Sequence, residues 1–349
     1  MDLPAGVRNF SYAKDMAIFR TKTHWAMLLL LFVVLFTLPL YLGNHWLNVA
    51  NFVGITIIAV TGLNILTGYC GQLSIGHAGF IAVGAYTSAV LTNRFELPFL
   101  VGLICAGLLA GFVGMLFGIP SVRVKGFYLA ISTIAAQIII IWVINHWTNI
   151  TGGFNGIAVP EPVIAGITFD TQGEFFYLIV AITILVIFFA KNLARTRPGR
   201  AFIAIRDNDL AAEVMGINLF RYKLLAFFIG CFLAGIAGSL MAHLMGFLSA
   251  ENFHITDSIL YIGMLIIGGM GTTVGPIFGV IFIKLLDKGI SFLSPTLEGA
   301  FNLPAGFTTG IGPMVFGLVI ILFLIIEPRG LAHRWQLFKA SYRLWPFSY

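Results

Sequence analysis

The chain is 349 residues long, 59% hydrophobic and only 10% charged, with a formal charge of +6. An ordinary soluble domain is roughly 25% charged, so the composition excludes a water-soluble enzyme and predicts an all-α, polytopic integral membrane protein. The 33 Phe and 39 Gly fit that class, because lipid accepts large apolar rings while close-packed membrane helices need small residues. Lys and Arg gather beside apolar runs, so orientation in the membrane accounts for the positive charge and a nucleic-acid partner is not needed. Cys70, Cys105 and Cys231 are odd in number and widely spaced, which predicts free thiols without a disulfide framework or a metal site.

Residues 1–24 are polar and basic and precede the apolar run Trp25–Leu42. That run is too long for a signal-peptide core and no small-residue cleavage site follows it, so it predicts an uncleaved first span behind a cytoplasmic amino-terminal segment. A span needs about 20 apolar residues. On that ruler the chain holds about ten transmembrane helices, at 25–42, 47–66, 74–92, 97–118, 126–146, 174–191, 223–247, 255–269, 273–290 and 306–327. The eighth and ninth are short or interrupted by Gly and Pro. Residues 25–327 then form the transmembrane domain, and 328–349 a cytoplasmic tail.

Charge placement tests the count. With the amino terminus inside, an even number of spans puts Arg123, Lys125, the cluster Lys191–Lys223 and the tail Arg329–Lys339 on the cytoplasmic side. The segments left outside, 147–173, 248–254 and 291–305, are acidic. Arg94, beside Glu96 on an outer turn, is the exception.

Between the second and third apolar runs lies Asn64–Ser88, punctuated by Gly68, Gly71, Gly76, Gly79 and Gly84 and carrying Asn64, Gln72, Ser74 and His77. In hydrocarbon every backbone polar group must be satisfied internally, so a glycine-broken stretch at this depth marks either a protein-lined passage or a tight helix junction. His77 follows Ser74 on the same helical face and is open to a structural or a passage role. Two later runs carry small residues at four-residue spacing: Gly102, Ala106, Ala110, Gly114 and Gly118, then Gly230, Ala234, Gly238, Ala242 and Gly246. Each ladder predicts a groove for close backbone approach, and so a central helix.

The longest internal polar segment is Asn192–Tyr222. Asn208 or Asp209 can cap a short helix there, residues 210–215 suit two turns, and Gly216 can close them with a left-handed residue. Arg200, Arg206 and Arg221 flank this helix, which is small on one side and shaped for docking to protein, while its basic residues also suit anionic lipid. A second glycine-dense stretch, Gly268–Gly279, has no Lys after its glycines, and no GxxxxGK[ST] phosphate-binding loop occurs in the chain. No HExxH, Ser–His pair or Asp dyad is visible, so the chain is not expected to be an enzyme. Ionisable groups inside the runs are limited to His77, His243 and the group Lys284, Asp287 and Lys288. His243 reads as a helix–helix hydrogen bond and Lys284 as a member of a local ion pair near the interface. Such scarcity places the energy source for any transport outside the chain.

Asn64-Ile-Leu-Thr-Gly68, Gly71-Gln-Leu-Ser-Ile-Gly-His-Ala-Gly-Phe80, Gly84-Ala-Tyr86, Lys125–Ile131 and Thr151-Gly-Gly-Phe-Asn-Gly156 occur in that order. Arg197-Pro-Gly-Arg-Ala201, Ala204-Ile-Arg-Asp-Asn208, Gly268-Gly-Met-Gly271 and Glu327-Pro-Arg-Gly-Leu331 follow. Carrying these, the chain from about residue 45 to 332 resembles the branched-chain amino acid permease family of ABC importers, in particular its LivM-type subunits. The resemblance implies an ABC importer transmembrane domain in a bacterial inner membrane, forming half of a translocation pathway for branched-chain or other apolar amino acids. It also implies a LivH-type permease partner, two cytoplasmic ATPase subunits that use ATP, a periplasmic substrate-binding protein docking on the outer loops, and contact with membrane lipid. No cofactor would be bound by this chain. Residues 192–222 would be the ATPase-coupling loop, through Arg197, Gly199, Arg200, Arg206, Asp207, Ala211, Ala212, Glu213 and Gly216. Asn64, Gln72, Ser74, His77, Gly268 and Gly271 are the candidates for the pathway or a helix junction. A self-contained channel or facilitator for a small neutral solute, such as urea or an amide, is the rival reading, since it also lacks buried charge.

Overall fold

The computed structural model describes residues 22–121, 126–164, 166–301 and 307–344. The expectations for the amino-terminal segment, Arg123 and Lys125 fall outside the described residues. Ten helices match the ten apolar runs: α1 (Lys22–Tyr41), α2 (Asn44–Leu63), α3 (His77–Arg94), α4 (Phe99–Ser121), α5 (Phe127–His146), α7 (Gln172–Arg195), α10 (Leu219–Met245), α11 (Ile255–Gly268), α12 (Gly275–Phe301) and α13 (Phe307–Ile326). Between them lie a four-residue turn α6 (Thr148–Thr151), the paired short helices α8 (Arg197–Asp207) and α9 (Asp209–Val214), and, last in the chain, α14 (Leu331–Leu344).

Length and composition qualify five helical segments to cross a membrane on their own: Asn44–Tyr69, Phe99–Pro120, Phe127–His146, Gln172–Arg195 and Leu219–Met245. Gly312–Ile326 and Leu331–Ser341, bent by 42°, qualify as a pair. α11 is 14 residues long, roughly 21 Å at 1.5 Å per residue, and so falls short of a hydrocarbon core about 30 Å thick.

α10 is the hub. Its small residues, two from the predicted ladder and Gly235 beside it, let three helices approach at backbone distance. Gly230 faces Gly62 of α2, a Cβ on Gly238 would come within 2.8 Å of the Ala85 nitrogen of α3, and one on Gly235 within 2.7 Å of the Ala110 Cβ of α4. From the other side, a Cβ on Gly111 would come within 2.9 Å of the Phe228 ring. The α4 ladder therefore meets α10 at Gly235, outside the ladder predicted on α10, whose own Gly230 and Gly238 face α2 and α3. α4 uses only one face this way, leaving Ile104, Leu108, Phe112 and Leu116 exposed. A second apolar cluster joins α2 to α11, α12 and α13 through Val60, Leu63, Leu265, Ile267, Val280 and Phe316.

Beyond α10, two-residue strands clip the loops together. β1 (Ile157–Ala158) pairs with β4 (Phe247–Leu248), and β2 (Val163–Ile164) with β3 (Ile167–Thr168), all antiparallel. Arg94, the exception to the charge pattern, donates to the Asn149 carbonyl in this region. The ion pair expected at Lys284 is absent: among the described residues the pairs are Arg206–Asp207, Lys223–Asp209 and Arg334–Glu327. Asp287 and Asp257 lie within electrostatic reach of Lys284 without pairing to it. The segment expected as a tail begins as a docked helix, with Trp335 of α14 edge-on to Phe278 of α12 at 6.0 Å.

Candidate functional site

Where α2 ends, the helix widens into a π-helical segment, Asn64–Tyr69. Asn64 is 1% exposed. Its Nδ2 donates to the Thr272 carbonyl at 2.8 Å and its Oδ1 accepts from the Gly271 N–H at 2.9 Å, so one side chain holds the α11–α12 loop against the π segment. Gly68 is needed for that approach, because a Cβ there would come within 2.5 Å of the Gly271 nitrogen. Gly271 itself has φ +73, a left-handed conformation that glycine adopts without strain. Gly268 packs against α12 at Gly275 and Gly279. The Gly68 carbonyl accepts from Arg206 Nη1 at 3.1 Å, while Arg206 Nε and Nη2 both donate to Asp207 Oδ1, at 2.9 and 2.8 Å. Three stretches far apart in sequence, the π segment, the α11–α12 loop and the end of α8, thus meet at Gly68. Beside them, a polar cavity of about 350 Å³ is lined by Gln72, Arg206, Asp207, Asp209 and Lys223 among others.

The rest of the glycine-rich stretch is packed inside the bundle. Gln72, Ser74 and His77 are all buried, His77 completely. His77 Nε2 lies 2.9 Å from the Ala59 carbonyl, so this nitrogen carries the proton and donates. The ring sits edge-on to Tyr261. Next to it, the Ala78 N–H donates to Ser258 Oγ at 2.9 Å, Ser258 Oγ donates to Gln137 Oε1 at 2.8 Å, and Gln137 Nε2 donates to the Phe253 carbonyl at 3.2 Å. These contacts tie the stretch to its neighbouring helices, while Gln72 Oε1, Ser74 Oγ and His77 Nδ1 are buried without a hydrogen-bond partner among the described residues. His243 likewise bridges elements, through Ser88 Oγ at 3.1 Å and the Pro160 carbonyl at 2.8 Å.

At the polar segment 192–222, sequence and structure agree on the short helix and differ around it. Asn208 is the cap: its Oδ1 accepts from the Ala211 N–H at 3.1 Å. Gly216, at φ +84, ends the helix, with the Ile217 N–H bonded to the Ala212 carbonyl at 3.0 Å. The segment also contains α8, which the sequence reading passed over. Thr196 caps it by accepting from the Gly199 N–H, Pro198 sits in its first turn, and Gly199, Ala201, Phe202 and Ile205 form its buried face. That cap, the Pro and the apolar spacing were the available signal, obscured by Arg197, Arg200 and Arg206.

Within the α8–α9 pair the candidate residues divide by position. Gly199 is buried, and a Cβ there would come within 2.7 Å of the Ala194 Cα. Ala212 is 3% exposed and holds α9 down from beneath. Arg197, Arg200, Arg206, Asp207, Ala211, Glu213 and Gly216 face solvent. Also strongly exposed are three large apolar residues outside the expected set: Leu210 at 66%, Val214 at 87% and Met215 at 82%. An apolar knob on a capped, two-turn helix is a surface that a protein partner can seat. Lys223, 3% exposed, anchors it with its ammonium 3.8 Å from Asp209 Oδ2.

Residues 45–324 match the family described as "Branched-chain amino acid transport system / permease component". Over 329 residues the chain is 33% identical to the high-affinity branched-chain amino acid transport system permease protein LivM of Escherichia coli, covering 87% of this chain and 74% of that one. It is 26% identical over 258 residues to the probable branched-chain amino acid transport permease protein LivH of Methanocaldococcus jannaschii, covering 72% and 78%. Over 259 residues it is 28% identical to the autoinducer 2 import system permease protein LsrC of an Enterobacter strain, covering 71% and 67%. No solved structure matches the chain.

Proposed function

Because the chain belongs to the branched-chain amino acid transport permease family, we propose that it is the LivM-type permease subunit of an ATP-driven importer of branched-chain or other apolar amino acids. It forms half of the pathway, and a LivH-type chain forms the other half. Two ATPase subunits dock from the cytoplasm and a periplasmic binding protein delivers substrate from outside. In this reading 25–327 is the transmembrane domain with about ten spans in the inner membrane, the first 24 residues and 328–349 are cytoplasmic, and 192–222 is the coupling loop.

The observation that carries the coupling role is the exposed trio Leu210, Val214 and Met215 on a helix locked at both ends. Burying such apolar surface in a partner's cleft is favourable at about 25 cal/mol per Å², whereas in a lone chain it faces water. The Arg206–Gly68 bond joins the neighbouring α8 to the π segment. A push on α8–α9 therefore reaches the junction of α2, α11 and α12 through a direct bond. Nothing in this needs an ATP site in the chain itself.

The test is affinity purification from the native membrane combined with uptake of labelled leucine. An ATPase and a second permease chain should co-purify, and uptake should stop when ATP is depleted. A chain that purifies alone and conducts solute without ATP would overturn the reading.

A further inference from the structure

Away from the α8–α9 pair, the structure holds a cavity of about 480 Å³ between α5 and the segment 249–256. That is within the range of small-molecule sites, about 300–1,000 Å³. Its position follows from the direction of α5. Gly126, at the start of that helix, lines the polar cavity beside Arg206, whereas Asn145 lies 19 residues on, roughly 29 Å at 1.5 Å per residue, and lines this one. The two cavities therefore sit at opposite ends of the bundle.

The walls combine three kinds of group. Ile138, Ile141 and Phe154 make an apolar side. Glu251 supplies a carboxylate that is engaged by no ion pair or side-chain hydrogen bond among the described residues. Opposite these, the cavity reaches the first turn of α11, where the His254–Asp257 capping box satisfies the cap and the third position. Among the described residues the N–H groups of Ile255 and Thr256 have no partner, as in the first turn of any helix. The unpaired carboxylate asks for a cationic donor. Free helix N–H groups favour an anion. An apolar wall beside both favours a hydrocarbon body.

We propose that this cavity is a station on the translocation path for a zwitterionic α-amino acid with an aliphatic side chain. The ammonium lies at Glu251, the carboxylate at the Ile255 and Thr256 N–H groups, and the side chain against Ile138, Ile141 and Phe154. A neutral amide such as urea would leave the carboxylate uncompensated and the apolar wall uncovered. The floor is Gln137, 1% exposed and held by Ser258 and Phe253. A Cβ on Gly79 would meet Gln137 at 3.0 Å, so the floor rests directly on α3 beside His77. The inference rests on the importer reading above and assigns to it a site in this subunit.

Photo-leucine, a diazirine analogue of leucine, applied to membranes carrying the complete transporter gives the test. Cross-links should map to peptides spanning 137–145 and 249–256, and leucine should compete them while urea does not. Glu251→Gln, at an exposed position, should lower the labelling about tenfold, the usual scale of a lost charge-assisted hydrogen bond. Ile141→Trp, which fills the cavity, should abolish it. Labelling elsewhere, or labelling unchanged by Glu251→Gln, overturns the site. If the wild-type transporter takes up leucine yet the cavity is not labelled, only the site falls; if it takes up no leucine, the importer reading falls with it.

Discussion

Asn64 commits both ends of its amide to one loop, which the Tyr69 hydroxyl also reaches at Thr273 Oγ1, 3.3 Å away. Replacing it with Leu would remove two hydrogen bonds and leave the Thr272 carbonyl and Gly271 N–H buried without partners, each at a cost of about 1–3 kcal/mol. The expected result is a lower melting temperature of the purified complex. Gly68→Ala acts at the same place by overpacking against backbone, which does not move aside as a side chain would, at a cost of about 1–3 kcal/mol. His77→Ala should behave differently from a passage mutant. The ring is fully buried and bonded to the Ala59 carbonyl, so the variant should reduce the amount of assembled transporter while leaving uptake per assembled transporter near wild type. Normal assembly with no uptake would instead put His77 in the path.

Among the elements, α9 was legible in the sequence because its signals are local. Asn208 at the start and Gly216 at the end act on neighbouring residues, and the structure uses both. α8 was not, since its apolar face is only Ala201, Phe202 and Ile205 among four charged residues. The bond from Arg206 to Gly68 joins residues 138 positions apart, and no local pattern encodes that. Within α9 the two alanines divide: Ala212 lies beneath the helix, and Ala211 faces out beside the larger Leu210, Val214 and Met215. The double substitution Val214→Glu with Met215→Glu should therefore leave thermal stability within about 0.5 kcal/mol, as exposed positions do, and abolish co-purification of the ATPase. Retention of the ATPase by that variant would move the docking surface elsewhere.

Over the whole molecule the ten apolar runs coincide with ten helices, because hydrophobic run length is a strong signal in a membrane chain. The ladders marked the packed helices, although a ladder read on one chain segment does not say which partner fills it. The structure supplies the pairing: α10 receives α2, α3 and α4 at Gly230, Gly238 and Gly235. Gly235→Leu would drive a branched side chain into the α4 backbone, and the chain should fail to accumulate in membranes when measured by quantitative immunoblot.

That hub lies late in the chain. Synthesis proceeds from the amino terminus at about 5–20 residues per second, so α2, α3 and α4 are inserted while the helix that gathers them is still unmade. For the time needed to add roughly a hundred residues, the faces that will meet Gly230, Gly235 and Gly238 have no mate. Membrane helices are stable singly before they associate, which makes that interval survivable, and it divides biogenesis into insertion and a later closure when Leu219–Met245 arrives. A chain stopped at residue 216 should therefore insert yet be cleared rapidly by membrane proteases in a pulse-chase. Co-expression of residues 217–349 as a separate polypeptide should lengthen its lifetime, since closure requires the hub to be present and not covalently joined.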